Sequence, residues 1–368
     1  MRINFLLVPV NLGKALSHKV ETVLFWSVLF MMLIFVLLVF SIILVNGWTD
    51  APNAISTCVA TRSLSPPAAL ALAAVCNFGG AVGMAMLSSS VAKTVFGIAN
   101  LPSDPEDAIG ALCAAMSAVV IWAVIATRFG IPTSESHALI SGLAGAAIAS
   151  QRTLAAINKE EMLRVLFGLL LSTAPAFLLA EISYSVMIAF LGRRERRRVI
   201  KRFSRTQILS AASSALLHGA QDSQKFMGVL MLGISLRYSY VADTFHLPPL
   251  VVISCAAVMT LGTLLGGKSI IKKVGVDMVS LDAAGGTAAD FASSAVLTLC
   301  SFLGLPVSTT HSKASAMMGV GAQKHGGGTN KKIVGEILLA WLLTFPVCAA
   351  IGFLLTALYL TLKGFILC

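Results

Sequence analysis

Long apolar runs, broken by short clusters of charge, Gly, Pro and Ser, fill most of this chain. A bilayer core of about 30 Å takes roughly 20 residues of helix. Ten segments come near that length: 24–61, 68–91, 109–129, 132–149, 162–191, 207–236, 248–267, 286–304, 306–322 and 333–362. The pattern predicts an all-α, polytopic membrane protein of about ten to twelve transmembrane or re-entrant helices. Segment 24–61 is too long for one simple crossing, and Gly47 and Pro52 offer places to break a helix in mid-membrane. Segments 132–149 and 306–322 are short and rich in Gly and Ser, which reads as re-entrant.

The two halves repeat one another. Asp50 precedes Pro132 by 82 positions, and Asp222 precedes Pro306 by 84. Gly130-Ile131-Pro132-Thr133-Ser134-Glu135-Ser136-His137 answers Gly304-Leu305-Pro306-Val307-Ser308-Thr309-Thr310-His311 at Gly, Pro, Ser and His. Between them, Asp107-Ala108-Ile109-Gly110 answers Asp282-Ala283-Ala284-Gly285. Three matches in order point to an internal duplication. Five crossings per half is an odd number, so the second half enters from the opposite face. The expectation is two inverted repeats, 24–191 and 207–362, joined by a basic cytoplasmic loop at 192–206, within a single integral membrane domain spanning 1–368.

Composition supports the membrane reading: hydrophobic residues are 57% and charged ones 12% of the chain, against about a quarter charged in soluble domains. The formal charge of +11 is concentrated between Arg193 and Arg205, where eight Lys or Arg face only Glu195. That reads as a cytoplasmic anchor, not a nucleic-acid surface. With the N-terminus outside, this loop and the clusters at Lys268-Lys272-Lys273 and Lys324-Lys331-Lys332 fall inside, while Asp104-Glu106-Asp107 falls outside. Lys14 and Lys19 run against that orientation. The apolar stretch after Arg2, Lys14 and Lys19 is longer than a signal peptide's and lacks a convincing cleavage site, so it is expected to be retained. The seven cysteines lie singly and mostly in apolar segments, as small hydrophobes do.

Charge inside hydrocarbon is costly, which makes an intramembrane acid a site candidate. Asp50, in Asn46-Gly47-Trp48-Thr49-Asp50-Ala51-Pro52-Asn53, has Arg62 as the next charge. Asp222, in His218-Gly219-Ala220-Gln221-Asp222-Ser223-Gln224-Lys225, stands in a similar setting 172 positions later. A carboxylate beside the Asn53 amide could ligate Na⁺, with Asp50, Asn53 and Asp222 as ligands; burial could instead make it a proton carrier. The plainer reading is a capping or salt-bridged Asp, and Lys225 at i+3 is a ready partner for Asp222. Lys225 stands where the first half has Asn53. An ammonium cannot ligate Na⁺, which favours protons.

Pro132 and Pro306 each open a helix start bearing hydroxyls: Thr133, Ser134 and Ser136 in one half, Ser308, Thr309 and Thr310 in the other. Free N–H groups, hydroxyls and a positive dipole end hold oxyanions. Broken-helix ends of inverted repeats commonly meet at the bilayer midplane, and two of them could hold one tetrahedral anion. Pro-x-Ser alone is more often a simple N-cap. Gln221, His137 and His311 complete the candidate anion ligands, although a buried His is more often a packed core residue. Glu135 is awkward beside an anion unless it is protonated or turned away. Gly79-Gly80, Gly262, Gly266 and Gly267 read as close helix-packing positions.

Together these motifs resemble the inorganic phosphate transporter family of secondary symporters. Gly47, Asp50 and Asn53 match the family's first Gly-x-x-Asp-x-x-Asn element, and Gly219 and Asp222 match the second. Pro132, Ser134 and His137 match one Pro-x-Ser-x-x-His element, and Pro306, Ser308 and His311 the other. The match spans about residues 40–325. Lys225 departs from the second Asn, and the Asp-Ser-Gln-Lys run is similar to the bacterial low-affinity branch, which uses protons. Glu135 and Val307 depart from the hydroxyl-rich pattern.

The resemblance implies a plasma-membrane symporter that imports inorganic phosphate, free or as a metal–phosphate complex, with H⁺ favoured over Na⁺. It would have no resident cofactor, and a homodimer and a cytoplasmic accessory protein are potential partners. Some family members are sulfate permeases, so sulfate is the alternative cargo. An intramembrane enzyme is the alternative of another class, but the chain carries neither Gly-x-Ser-x-Gly nor His-Glu-x-x-His.

Overall fold

A computed structural model describes residues 8–128, 133–191, 196–238, 245–324 and 328–367. These residues are helical throughout apart from short connections and two isolated bridges. Gly130 and Pro132, and residues 192–195 of the basic run, lie outside them.

The first apolar run forms α1 (Val8–Thr49) and α2 (Ala51–Ala60), interrupted only at Asp50. Pro52 sits in the first turn of α2, where its missing N–H leaves no bond unmade. The break therefore falls between the expected breakpoints Gly47 and Pro52. Next come α3 (Pro66–Leu87), a short α4 (Ser90–Phe96) that the sequence pattern merged with it, and α5 (Pro105–Arg128). Then follow α6 (Glu135–Gln151) and α7 (Lys159–Leu191).

Asp222 interrupts nothing. It lies within α8 (Arg196–Tyr238), a single helix of 43 residues. The described part of the basic run, from Arg196 on, is the first three turns of α8 and not a loop, as suits Arg and Lys, both good helix formers. After α9 (Pro249–Leu265), a short α10 (Lys268–Ile270) runs into a π-helical segment, Ile271–Met278. α11 (Ala283–Phe302), α12 (Thr309–Ala322) and α13 (Lys331–Leu367) close the fold.

Among the described residues, five spans are long and apolar enough to cross a bilayer: Val28–Ala60, Pro66–Leu87, Pro105–Ala126, Lys159–Phe190 and Lys331–Phe365. Their outward faces expose Val75, Met86, Leu170, Leu342 and Leu358, as lipid contact requires. α6 and α12, with 17 and 14 residues, are shorter than a crossing and almost wholly buried.

Packing partners come in matched pairs. α3 lies against α8, and α9 against α1; α6 lies against α13 and α5, and α12 against α7 and α11; α4 lies against α8, and the π-helical segment against α2. Glycine permits the closest of these approaches. A methyl group at Gly80 would come within 1.8 Å of the Leu216 carbonyl oxygen of α8, and one at Gly262 within 2.1 Å of that of Leu44 in α1. Gly79 faces open space, so only Gly80 of that pair is a packing position. Among the described cysteines none forms a disulfide.

Candidate functional site

The two intramembrane acids meet. Asp50 stands at the N-cap position of α2 without a side-chain cap bond and Asp222 lies in mid-α8, and the Asn46 amide nitrogen reaches both, at 3.3 Å from Asp50 Oδ2 and 3.1 Å from Asp222 Oδ2. Both acids are buried, at 5% and 1% exposure. A free hydrocarbon environment would make this pair very costly, and the surrounding donors offset that.

Lys225 is fully buried and saturated. Its Nζ lies 2.5 Å from Asp222 Oδ1, 2.6 Å from Ser136 Oγ and 2.5 Å from the Val307 carbonyl oxygen. One side chain thus ties α8 to the start of α6 and to the approach to α12. On the other face of Asp222, His218 Nε2 lies 3.3 Å from Oδ2, while His218 Nδ1 faces Asn77 Oδ1 at 3.2 Å.

The expected hydroxyls converge on the same place. Thr309 Oγ1 donates to Asp222 at 3.3 Å, and Asn53 Nδ2 donates to Thr310 Oγ1 at 3.1 Å. Ser134 and Ser308 are N-caps: each hydroxyl oxygen accepts from the backbone N–H three residues on, His137 and His311, at 3.3 and 3.2 Å. The plainer reading of Pro-x-Ser is therefore satisfied, and each Ser keeps its own proton to donate. Thr133 is buried just ahead of the α6 cap and lines a cavity of about 360 Å³ between α5 and α13. The same cavity is bordered by Lys273 and Glu336, an ion pair at 3.0 Å.

Gln221 is spent elsewhere. Its Nε2 donates to Ser301 Oγ at 2.9 Å and to the Leu305 carbonyl at 3.4 Å, bracing α8 against the end of α11. His137 and His311 face each other edge to face at 4.3 Å between ring centres. His311 stacks on Trp341 at 3.6 Å and His137 lies 4.8 Å from Phe345, both on α13. The pair is packed as core aromatics are.

Several buried oxygens in this cluster, among them Asn46 Oδ1, Asn53 Oδ1, Gln221 Oε1 and Glu135 Oε2, have no hydrogen-bond partner. A small cavity of about 10 Å³, room for one water, lies among Asp50, Asn53, His218, Thr309 and Lys313. Among the described residues no group of three or more His, Cys, Asp or Glu is arranged to hold a metal ion; a cation here would rest on the carboxylates and these amide oxygens.

Sequence reasoning missed a second buried ion pair. Asp290 of α11 and Lys313 of α12 are in direct contact. Lys313 Nζ also meets the Ala54 carbonyl at 3.0 Å, Ser214 Oγ at 3.3 Å and Thr57 Oγ1 at 3.4 Å, while Asp290 accepts from Thr57 and Ser210. The rule that flagged Asp50, a charge in an apolar segment, applies equally to both. Asn46 and Thr49 were also missed, since neither carries a charge.

A model described as the phosphate transporter family matches residues 46–352. The chain is similar to a probable low-affinity inorganic phosphate transporter of Bacillus subtilis (strain 168), 36% identical over 84% of this chain and 91% of that protein. A protein of the same description from Rhizobium meliloti (strain 1021) is 33% identical over 84% of this chain and 90% of its own length. In structure it is similar to a protein titled the sodium-dependent phosphate transporter, with a TM-score of 0.81, 22% identity, and coverage of 89% of this chain and 98% of that one. That likeness speaks to the fold.

Proposed function

The chain belongs to the phosphate transporter family, and on that premise we propose that it imports inorganic phosphate across the plasma membrane by alternating access, coupled to a cation, with H⁺ favoured over Na⁺. One observation carries the reading. The acids of the two halves share Asn46, and three side-chain bonds, Thr309 to Asp222, Asn53 to Thr310 and Lys225 to Ser136, link that acid centre to the starts of α6 and α12. A change of charge at the acids is thereby felt where an oxyanion would dock.

The matched packing of α1 to α7 and α8 to α13 supports two inverted repeats that rock about this centre. In the cycle, the cation arrives at the acids, phosphate docks against Thr133, Ser136, Thr309 and Thr310 with the spare protons of Ser134 and Ser308, and the halves reorient. His137 and His311 brace the two short helices against α13 and do not enter the cycle as ligands.

Lys225 supports protons. Its ammonium neutralises Asp222 where the first half has the Asn53 amide, so the second half offers no vacant sodium ligand set. The Na⁺ reading rests on a different observation: Asp50 has the unpartnered oxygens of Asn46 and Asn53 nearby, a hard-oxygen set on one side only. Radiolabelled phosphate uptake into proteoliposomes, with pH and Na⁺ gradients imposed separately and sulfate as competitor, decides cargo and coupling together.

A further inference from the structure

Glu135 is the first residue of α6 and the third acid of the centre. Its side chain is 2% exposed, and Oε2 is buried with no hydrogen-bond partner. Oε1 lies 2.5 Å from Thr49 Oγ1, and the same hydroxyl lies 2.9 Å from the Val45 carbonyl oxygen. A threonine hydroxyl has one proton. When it goes to the carbonyl four residues back, as is usual for a helical Thr, the contact with Glu135 is a hydrogen bond only if the carboxyl group supplies the second proton.

The charges around Glu135 point the same way. Asp50 and Asp222 lie in the same cluster, His218 stands behind Asp222, and Lys225 is bonded to Asp222. His137 lies two residues on, against His311 and Phe345. Behind these, α5 packs Ala115 and Val119 against α6, and α13 packs Ala349 and Gly352. Three acids thus face one ammonium, and Glu135 makes no ion pair among the described residues. A buried ionised carboxylate without a partner costs several kcal/mol, and a phosphate anion docking at the same helix start adds to that cost. At the matching position in the second half stands Thr309, a neutral donor to Asp222.

We propose that Glu135 carries the co-transported proton, an inference that rests on the phosphate and H⁺ reading above. Glu135 takes the proton from water on the side of higher H⁺ activity and is neutral while phosphate occupies the start of α6. After phosphate leaves, the carboxyl O–H bond breaks and the proton passes to water on the other side, while the Thr49 hydroxyl stays on the Val45 carbonyl.

The test compares wild type with Glu135→Gln, which keeps the shape of the neutral acid, in proteoliposomes. The expected result is phosphate–phosphate counterflow within about twofold of wild type, with stimulation by an inward proton gradient abolished. Loss of counterflow from monodisperse protein, or retained proton stimulation, overturns the proposal; so does loss of a sodium stimulation, which would make Glu135 a cation ligand. Thr49→Ala tests it without touching the acid, and decides the matter if Glu135→Gln does not fold. If Thr49 accepts from a protonated Glu135, removing it shifts the pH midpoint of uptake to lower pH; an unchanged or raised midpoint overturns the proposal. Absence of any phosphate flux in wild type would instead count against the phosphate reading itself.

Discussion

Asp50 and Asp222, 172 positions apart, draw on the same donor, the side-chain amide of Asn46. The two halves of the chain are therefore joined at their acids before any ion or anion binds.

The acids should be separable from folding. Asp50→Asn is expected to lower phosphate uptake by roughly tenfold or more, the factor that about 1.4 kcal/mol of lost interaction represents, while membrane insertion and the size-exclusion profile stay unchanged. Normal uptake by that variant would remove Asp50 from the coupling role.

Lys225 and Asp222 form a pair in which one member is worse than none. Lys225→Met leaves Asp222 buried without its cation and should cost about 3–5 kcal/mol, seen as a lower melting temperature in detergent. Adding Asp222→Asn should recover much of that loss but not transport. Equal melting temperatures for the single and double variants would show that Lys225 does not neutralise Asp222.

The same logic applies to Asp290 and Lys313. Lys313→Met should destabilise the protein by a similar amount, and Asp290→Asn with Lys313→Met by less, because the Thr57 and Ser210 hydroxyls can still pair with an amide. A double variant as unstable as the single one would contradict this account of the pair.

Glycine at the α3–α8 contact gives a paired test of packing. Gly80→Ala places its methyl group on the Leu216 carbonyl and should broaden or abolish the monodisperse peak, whereas Gly79→Ala meets nothing within 4 Å. The second variant should be neutral or gain up to about 1 kcal/mol of helix propensity. Similar behaviour of the two would mean that α3 and α8 are not in close contact.

Much of this site was legible in the sequence because charge in an apolar run is conspicuous. Asp50, Asp222 and Lys225 announce themselves that way, and duplicated spacing tied each acid to a Pro-x-Ser helix start. Asn46 and Thr49 did not stand out because polar uncharged residues are common at helix ends and their roles depend on which helix lies opposite. The partners of Gln221 were hidden for the same reason: nothing local says that its amide nitrogen donates to Ser301 and Leu305. The histidines were legible as a pair but not as an aromatic stack, since Trp341 and Phe345 come from α13. Helix lengths were clear where charges bracket the run, and unclear at Arg196, where a basic cluster is equally good helix and loop.

The most direct test is radiolabelled phosphate uptake by the purified protein in proteoliposomes, driven first by an inward proton gradient and then by an inward sodium gradient at equal pH. The expected result is phosphate accumulation with the proton gradient, collapsed by a protonophore, and little response to sodium alone. Accumulation driven by sodium and indifferent to the protonophore would contradict proton coupling, and no phosphate accumulation under either gradient would contradict the account as a whole.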